Sequence, residues 1–261
     1  MKVAVIGAGV MGEALIAGLI RSGIAPSSIS IREKNDLRKN EIASKYGVSI
    51  EGVDDADIFL LLTKPQDLEA AVSELKAKSD ALFITFAAGK RCKTIEDRLG
   101  SAARVVRVMP NTPLLLGSGI SAVSAGSSAT TADVAWIAKV LESSGKVVVV
   151  PEELQDAVTA TSGSGPAYFF MMVEAMASAA EKLGMSSSDA MNLAKETLIG
   201  AALMLKESGK DAKTLRENVT SPNGTTAAAL AVFDSSKWHE IVSEAMKAAK
   251  NRAMHISSNL E

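Results

Sequence analysis

Three hydroxyl side chains and two helix-breaking residues meet in Ser221-Pro222-Asn223-Gly224-Thr225-Thr226, which runs without a break into the alanine-rich segment 227–231. Pro222 and Gly224 exclude regular structure over the first four residues, and the hydroxyls stand where a helix N-cap is expected. A helix start of this kind presents unpaired backbone N–H groups and the positive end of the helix dipole. It can therefore hold a small carboxylate without any Lys or Arg. We read the loop as the anion cradle of a substrate; the alternative is a turn that only caps a helix. The two histidines, His239 and His255, fall on the last helical segment with no carboxylate at triad-like spacing, so a surface or interface role suits each better than catalysis. Cys92 is the only cysteine, which excludes an intrachain disulfide framework, fits a reducing compartment, and leaves a thiol expected to be inert. No metal ligand set is expected.

A second constellation lies at the other end of the chain. Residues 2–6 are an alternating β-branched run, followed at once by Gly7-Ala8-Gly9-Val10-Met11-Gly12 and then by helical periodicity through Ala14, Leu15, Gly18 and Leu19. In this strand–turn–helix context Gly7 permits the tight turn, Gly9 lets backbone approach a pyrophosphate, and Gly12 allows close packing of helix on strand. The turn is expected to bind a dinucleotide. At the end of the second strand, where the adenosine ribose would lie, the sequence reads Arg32-Glu33-Lys34. An acid there suits a free ribose 2′-hydroxyl and a base suits a 2′-phosphate. With both present, NADP(H) is favoured, Arg32 and Lys34 flanking the phosphate and Glu33 turning to solvent; NAD(H) stays open as the second choice.

The elements that position these residues follow from pattern. Helices over 37–46 and 68–78 and apolar strands over 57–62, 81–86 and 104–109 predict a mostly parallel, doubly wound sheet covered on both faces. Ligands of such a sheet bind beyond the carboxyl ends of its strands. Three turns sit there: Leu62-Thr63-Lys64-Pro65, Ala87-Ala88-Gly89, and Met109-Pro110-Asn111-Thr112-Pro113. A strand over 119–123, a helix over 131–142 and a strand over 146–150 complete the sheet, and Pro151 marks a boundary. Beyond it strand patterning disappears, and 167–183, 187–206 and 236–256 read as helices. The chain thus divides into a Rossmann-type domain, 1–151, and an all-helical domain, 152–261.

Composition narrows the partners. The chain has 261 residues, 47% of them apolar but only 4% aromatic, which favours α/β or helical packing over a β-sandwich. A net charge of −2 with interspersed signs lacks the basic footprint of nucleic-acid or anionic-membrane binding. No apolar run reaches transmembrane length and the N-terminus is not shaped like a signal peptide, so a cytoplasmic protein acting on a small molecule is expected. The stripe of Met171, Met172 and Met176 is expected to be core. So few helices with apolar residues on several sides call for a second subunit to cover them.

Ser162-Gly163-Ser164-Gly165-Pro166-Ala167-Tyr168 and the 221–226 loop, taken with the Gly7 to Gly12 turn, Lys64-Pro65, Ala87-Ala88-Gly89 and Pro110-Asn111-Thr112-Pro113, resemble pyrroline-5-carboxylate reductase over nearly the whole chain and in the same order. The resemblance implies a Rossmann domain followed by a helical dimerisation domain, a homodimer with assembly into a decamer, and reduction of 1-pyrroline-5-carboxylate to L-proline with NAD(P)H. It places the cofactor on residues 7–12, 62–65 and 87–89, with Asn111 beside them. It places the substrate on Ser221, Pro222, Asn223, Gly224, Thr225 and Thr226, with Asn218 close to both ligands. Thr226 matches the threonine that hydrogen-bonds the ring nitrogen, and Ser221 joins it as the second catalytic assignment. Two departures stand out: Asn223 replaces a usual glycine, and Thr63 a usual valine. Asparagine tolerates positive φ better than most residues, so the loop shape is expected to survive.

The chemistry stands apart from the name. A cyclic imine is a far better base than a ketone and is already protonated when hydride attacks, so hydroxyls and N–H groups suffice without a His–Asp pair. Two rivals stay open. A β-hydroxyacid dehydrogenase shares the layout, but the Lys-x-x-Asn pair of such enzymes occurs nowhere in this chain. A non-enzymatic oligomer that senses NADP(H) is the other.

Overall fold

The structure, a computed structural model, describes residues 1–258. The last three residues of the expected helical domain, 259–261, lie outside the described residues. The chain separates into two compact units, one comprising Met1–Ser164 with the chain from Ala249 onward, the other Gly165–Ala248.

The first unit is built on a seven-stranded sheet of order β2-β1-β3-β4-β5-β6-β7. Its elements in chain order are β1 (Val3–Ile6), α1 (Val10–Arg21), β2 (Ile29–Arg32), α2 (Asp36–Tyr46), β3 (Ile58–Leu61), α3 (Leu68–Ser73), β4 (Leu82–Thr85), α4 (Cys92–Leu99), β5 (Arg104–Met109), β6 (Gly119–Ala125), α5 (Thr131–Glu142), β7 (Gly145–Val149) and α6 (Gln155–Val158). All neighbours are parallel except β5 and β6. The exception has a geometric cause. Residues 110–118 are too few for the crossover that a parallel neighbour needs, so the chain turns back through a short 3₁₀ segment, Thr112–Leu116.

Alternation along the strands builds two cores. Val3, Val5, Ile29, Ile31, Leu60 and Ile84 face Leu15, Ile16 and Leu19 of α1 and Ile137 and Leu141 of α5. Ala4, Ile6, Phe59, Leu61 and Phe83 face Leu68 and Val72 of α3 and Cys92 and Ile95 of α4. Phe59 and Phe83 stack across β3 and β4 with ring centres 5.1 Å apart. Both faces being covered, the inner strands β1 and β3 are apolar throughout.

Two elements differ from expectation. The helix expected over 68–78 ends at Ser73, because Leu75 turns back into the second core. The helix α4 was not expected at all; its sequence CKTIEDRL buries only Cys92 and Ile95, too few to register as periodicity. A charge also hides in an apolar strand. Arg107 is 2% exposed and pairs with Asp156 at 3.3 Å and Glu152 at 3.6 Å, while Glu152 accepts the N–H of Cys92 at 2.7 Å. This ion cluster fastens the segment that follows the sheet to the end of β5. Removing one partner of such a pair typically costs about 3–5 kcal/mol.

The second unit is helical: α7 (Gly165–Lys182), α8 (Ser187–Glu207), α9 (Ala212–Asn218), α10 (Thr225–Ser235) and the first part of α11 (Trp238–Ser258). The helix α9 had no counterpart in the sequence reading. Between α10 and α11 Lys237 takes a φ of 57°, which ends one helix before the next begins. The buried core of this unit among the described residues is three alanines, Ala177 of α7 against Ala190 and Ala194 of α8, flanked by Val173 and Ala180. Phe169, Phe170 and Met171 of α7 are 58, 61 and 71% exposed, and Leu203, Met204 and Leu205 of α8 are all about half exposed. The expectation that the methionine stripe is core therefore fails for a single chain: Met171 and Met176 lie at the surface.

Candidate active site

The glycine turn joins β1 to α1 by contacts that leave little choice of residue. Gly7 has a φ of 99°, and a Cβ there would come within 2.9 Å of the Leu62 carbonyl; a Cβ on Gly12 would lie 2.2 Å from the Gly7 oxygen. Nothing lies within 4 Å in front of Gly9. Gly9 is the N-cap of α1 and supplies no side-chain cap. The first intrahelical bond runs from Glu13 N–H to Gly9 O at 2.9 Å, so the N–H groups of Val10, Met11 and Gly12 have no partner within the helix. A helix N-terminus open in this way is suited to a pyrophosphate.

The main chain of Ala8, a fully buried residue, is held at both its N–H and its carbonyl. Its N–H donates to Glu33 Oε2 at 2.8 Å, and its carbonyl accepts from Arg38 Nε at 3.1 Å. Arg38 in turn donates to Glu13, which also takes Lys45 Nζ at 2.7 Å and the Tyr46 hydroxyl at 3.0 Å. Lys45, then Arg38, hold the Glu13 carboxyl at a pKa of about 2, well below its usual 4.5. The expectation that Glu33 turns to solvent is not met, because its two oxygens are engaged by the N–H groups of Ala8 and Asn35. Arg32 is paired with Asp54 at 3.0 Å, and Lys34, 84% exposed, stands 3.7 Å from Asp67.

The remaining cofactor candidates gather at the same ends of the strands. Leu62 and Thr63 lie against Gly7, and the Thr63 hydroxyl is buried with no hydrogen-bond partner. Lys64 is the exposed residue that opens the 3₁₀ turn Pro65–Asp67. Ala87 donates to Thr85 Oγ1 at 3.3 Å, Ala88 follows it in the turn after β4, and Gly89 lies against Ile256 near the end of α11. Asn111 has a structural duty: its Oδ1 accepts the N–H of Ile120 at 2.9 Å and so anchors the start of β6. An uncapped helix start, an open approach at Gly9 and an orphaned buried hydroxyl at Thr63 together fit a dinucleotide lying across these turns.

Gly163 of the Ser162 to Ser164 motif packs beneath Met109, where a Cβ would meet the Met109 methyl at 2.6 Å. The motif is one wide turn, a π-helix over Thr159–Gly163 closed by Ser164 N–H to Thr159 O at 2.8 Å. Such turns recur at functional sites. The Cys92 thiol is buried, and burial followed by the neighbouring Glu152 pushes its pKa up, which keeps it protonated.

In the second unit the 221–226 loop has the form the sequence required, with one change. Asn223 takes a φ of 59°, as its tolerance of that region allows. The N-cap of α10 is Gly224 rather than a hydroxyl residue, and no side chain caps the helix. Ser221 O accepts the Gly224 N–H at 3.0 Å, and a Cβ at 224 would sit 2.4 Å from Ser221 Oγ. The hydroxyls of Thr225 and Thr226 therefore stand on the first turn of an open helix start instead of closing it. Pro222 leads into this turn, and Asn218, exposed, ends α9 three residues before it.

What sequence reasoning missed are the partners. Asp54, Arg38, Glu13, Asp156 and Glu152 act across the fold, and no local pattern marks them.

A Rossmann sheet with an open glycine turn, followed by a helical unit, defines the class: a dinucleotide-dependent oxidoreductase. Residues 152–256 match the family model for pyrroline-5-carboxylate reductase dimerisation, and residues 2–89 that for NADP oxidoreductase, coenzyme F420-dependent. The chain is 38% identical to the pyrroline-5-carboxylate reductase of Pseudomonas aeruginosa, over 99% of this chain and 98% of that one. It is 35% identical to that of Arabidopsis thaliana, over 99% and 96%. Among solved structures, a pyrroline-5-carboxylate reductase from Coxiella burnetii superposes with a TM-score of 0.90 at 33% identity, covering 98% of both chains. One from Plasmodium falciparum with NADP bound reaches 0.84 at 26%, again over 98% of both. The chain belongs to the pyrroline-5-carboxylate reductase family.

The Glu13 cluster makes the α1–α2 contact acid-sensitive. Its carboxyl titrates lower in the folded than in the unfolded chain, so its contribution is complete above pH 4.5 and disappears as the pH falls through about 2. With allowance for partial exposure, Glu13→Gln is expected to lose about 2 kcal/mol at pH 7. Urea unfolding from pH 7 to pH 2 should show the deficit shrinking with acid; a deficit undiminished at pH 2 would assign it to packing.

Proposed function

We propose that the chain reduces 1-pyrroline-5-carboxylate to L-proline. A reduced nicotinamide held on the first domain would supply the hydride taken up at the imine carbon, and the ring nitrogen, already protonated, would receive the C=N electron pair and end as the amine. The first domain, 1–151, holds the dinucleotide and the second, 152–261, the substrate. The dinucleotide supplies the hydride; the chain supplies orientation and charge stabilisation. Either NADPH or NADH fits this role, and the choice between them turns on Glu33.

The observation that carries the substrate half is the uncapped start of α10. Its N–H groups and dipole suit the carboxylate, and Thr226 offers a hydroxyl to the ring nitrogen, with Ser221 beside the loop. Neither histidine is needed as an acid, because the imine nitrogen brings its own proton. Addition of 1-pyrroline-5-carboxylate to the chain and a reduced nucleotide should consume the nucleotide and yield proline. Thr226→Ala should lower kcat by about a hundredfold, the effect of losing one oriented donor, while nucleotide affinity stays unchanged. Wild-type turnover in the variant would remove Thr226 from the mechanism, and no consumption by the wild type would reject the reaction.

We further propose a homodimer as the minimal assembly, with a decamer built from such dimers, working in the cytoplasm. No described helix is long and apolar enough to cross a membrane. In the second unit the exposed Phe, Met and Leu side chains of α7 and α8 greatly outnumber its three buried alanines. A second copy burying upward of roughly 2,000 Å² would cover them. Sedimentation at micromolar concentration should give a mass of two chains or a multiple; Met172→Glu should split the assembly and abolish turnover. A fully active monomer would overturn the proposal.

A further inference from the structure

The carboxylate of Glu33 lies where the adenosine ribose of a bound dinucleotide would end, about twenty residues beyond the last glycine of the turn. We propose that Glu33 selects the nucleotide in this chain and that it selects NADH over NADPH, the reverse of the preference expected from Arg32 and Lys34. The inference rests on the dinucleotide reading of the Gly7 to Gly12 turn.

Three observations carry it. First, Glu33 is fixed. Oε2 accepts the Ala8 N–H at 2.8 Å and Oε1 the Asn35 N–H at 3.0 Å, so it cannot leave without stranding the Ala8 donor inside the turn. Second, its remaining capacity matches a diol. An ionised carboxylate offers about four lone-pair positions and donates nothing. Two are taken by backbone, and two stay open to the hydroxyls of an unphosphorylated ribose. A 2′-phosphate dianion brings no donor and meets a like charge instead.

Third, the cations nearby are already committed. The cleft beside Glu33, about 370 Å³, carries Arg32 and Lys39 against Glu33, Asp54 and Asp55. Arg32 is bonded to Asp54 at 3.0 Å and Lys39 to Asp36 at 2.5 Å. Lys34 is 84% exposed and stands 3.7 Å from Asp67. A 2′-phosphate placed there would meet the Glu33 carboxylate, which the Ala8 N–H holds in place, while the charge of Arg32 is already offset by Asp54. Repulsion between unit charges about 4 Å apart, screened as in bulk water, is worth a factor of about five in affinity for each charge. A dianion should therefore be disfavoured by at least about tenfold.

The test is a pair of fluorescence titrations without imine, NADH and NADPH each added to the wild-type chain and to Glu33→Gln. Glutamine keeps an acceptor for Ala8, gives up the one for the Asn35 N–H and removes the charge. The wild type should bind NADH at least about tenfold more tightly, and the variant should gain about tenfold for NADPH while losing a few-fold for NADH. Equal affinities in the wild type, tighter NADPH, or a ratio unmoved in the variant would each overturn the proposal. Should the variant fail to fold, titrating the wild type with ADP-ribose and its 2′-phosphate decides the same point. Binding of neither nucleotide would reject the dinucleotide site itself. NADH-selective binding without imine reduction would leave Glu33 its role and reject only the proline reaction.

Discussion

The main chain of Ala8 is the constraint on which the nucleotide half depends. Its N–H is held by Glu33 from the end of β2 and its carbonyl by Arg38 from α2, and Arg38 is itself locked by Glu13 on α1. The main chain of one residue thus ties three elements together at the point where the chain must leave β1 and start α1 without a cap. An uncapped helix start is unfavourable by itself, since its N–H groups lack partners. The surrounding charge network fixes the turn, and no atom lies within 4 Å of the place a Cβ on Gly9 would take. The same logic recurs at α10, where Gly224 rather than a hydroxyl residue begins the helix.

Much of this was legible in the chain. The glycine spacing, the apolar strands and the Asn223 turn follow from local rules about φ, packing and period, and the structure has each of them where those rules put it. The helix α4 was invisible because two buried residues make no period. The antiparallel turn into β6 was set by a connection length, a weaker signal than composition. The charge partners could not be read: Arg32 with Asp54 and Arg107 with Asp156 are separated by 22 and 49 residues, and nothing local says which carboxylate a cation will meet. That is why sequence alone sends Glu33 to solvent: the Ala8 N–H it satisfies leaves no local mark in the chain.

The two units differ in how they are stabilised. The sheet unit has two cores of large aliphatic and aromatic side chains and closes on itself. The helical unit packs small residues of α7 and α8 closely but leaves its large apolar side chains outward. Small residues at a helix crossing bring backbones together and bury little area, so stability must come from what covers the outer faces.

The clamp on Ala8 is most directly tested by amide hydrogen exchange resolved residue by residue in the nucleotide-free chain. Ala8 should exchange slowly, protected by Glu33, while the neighbouring Val10 and Met11 amides at the open start of α1 exchange fast and become protected when nucleotide is added. An Ala8 amide exchanging as fast as Val10 would contradict the account, because the turn would then be loose before the ligand arrives.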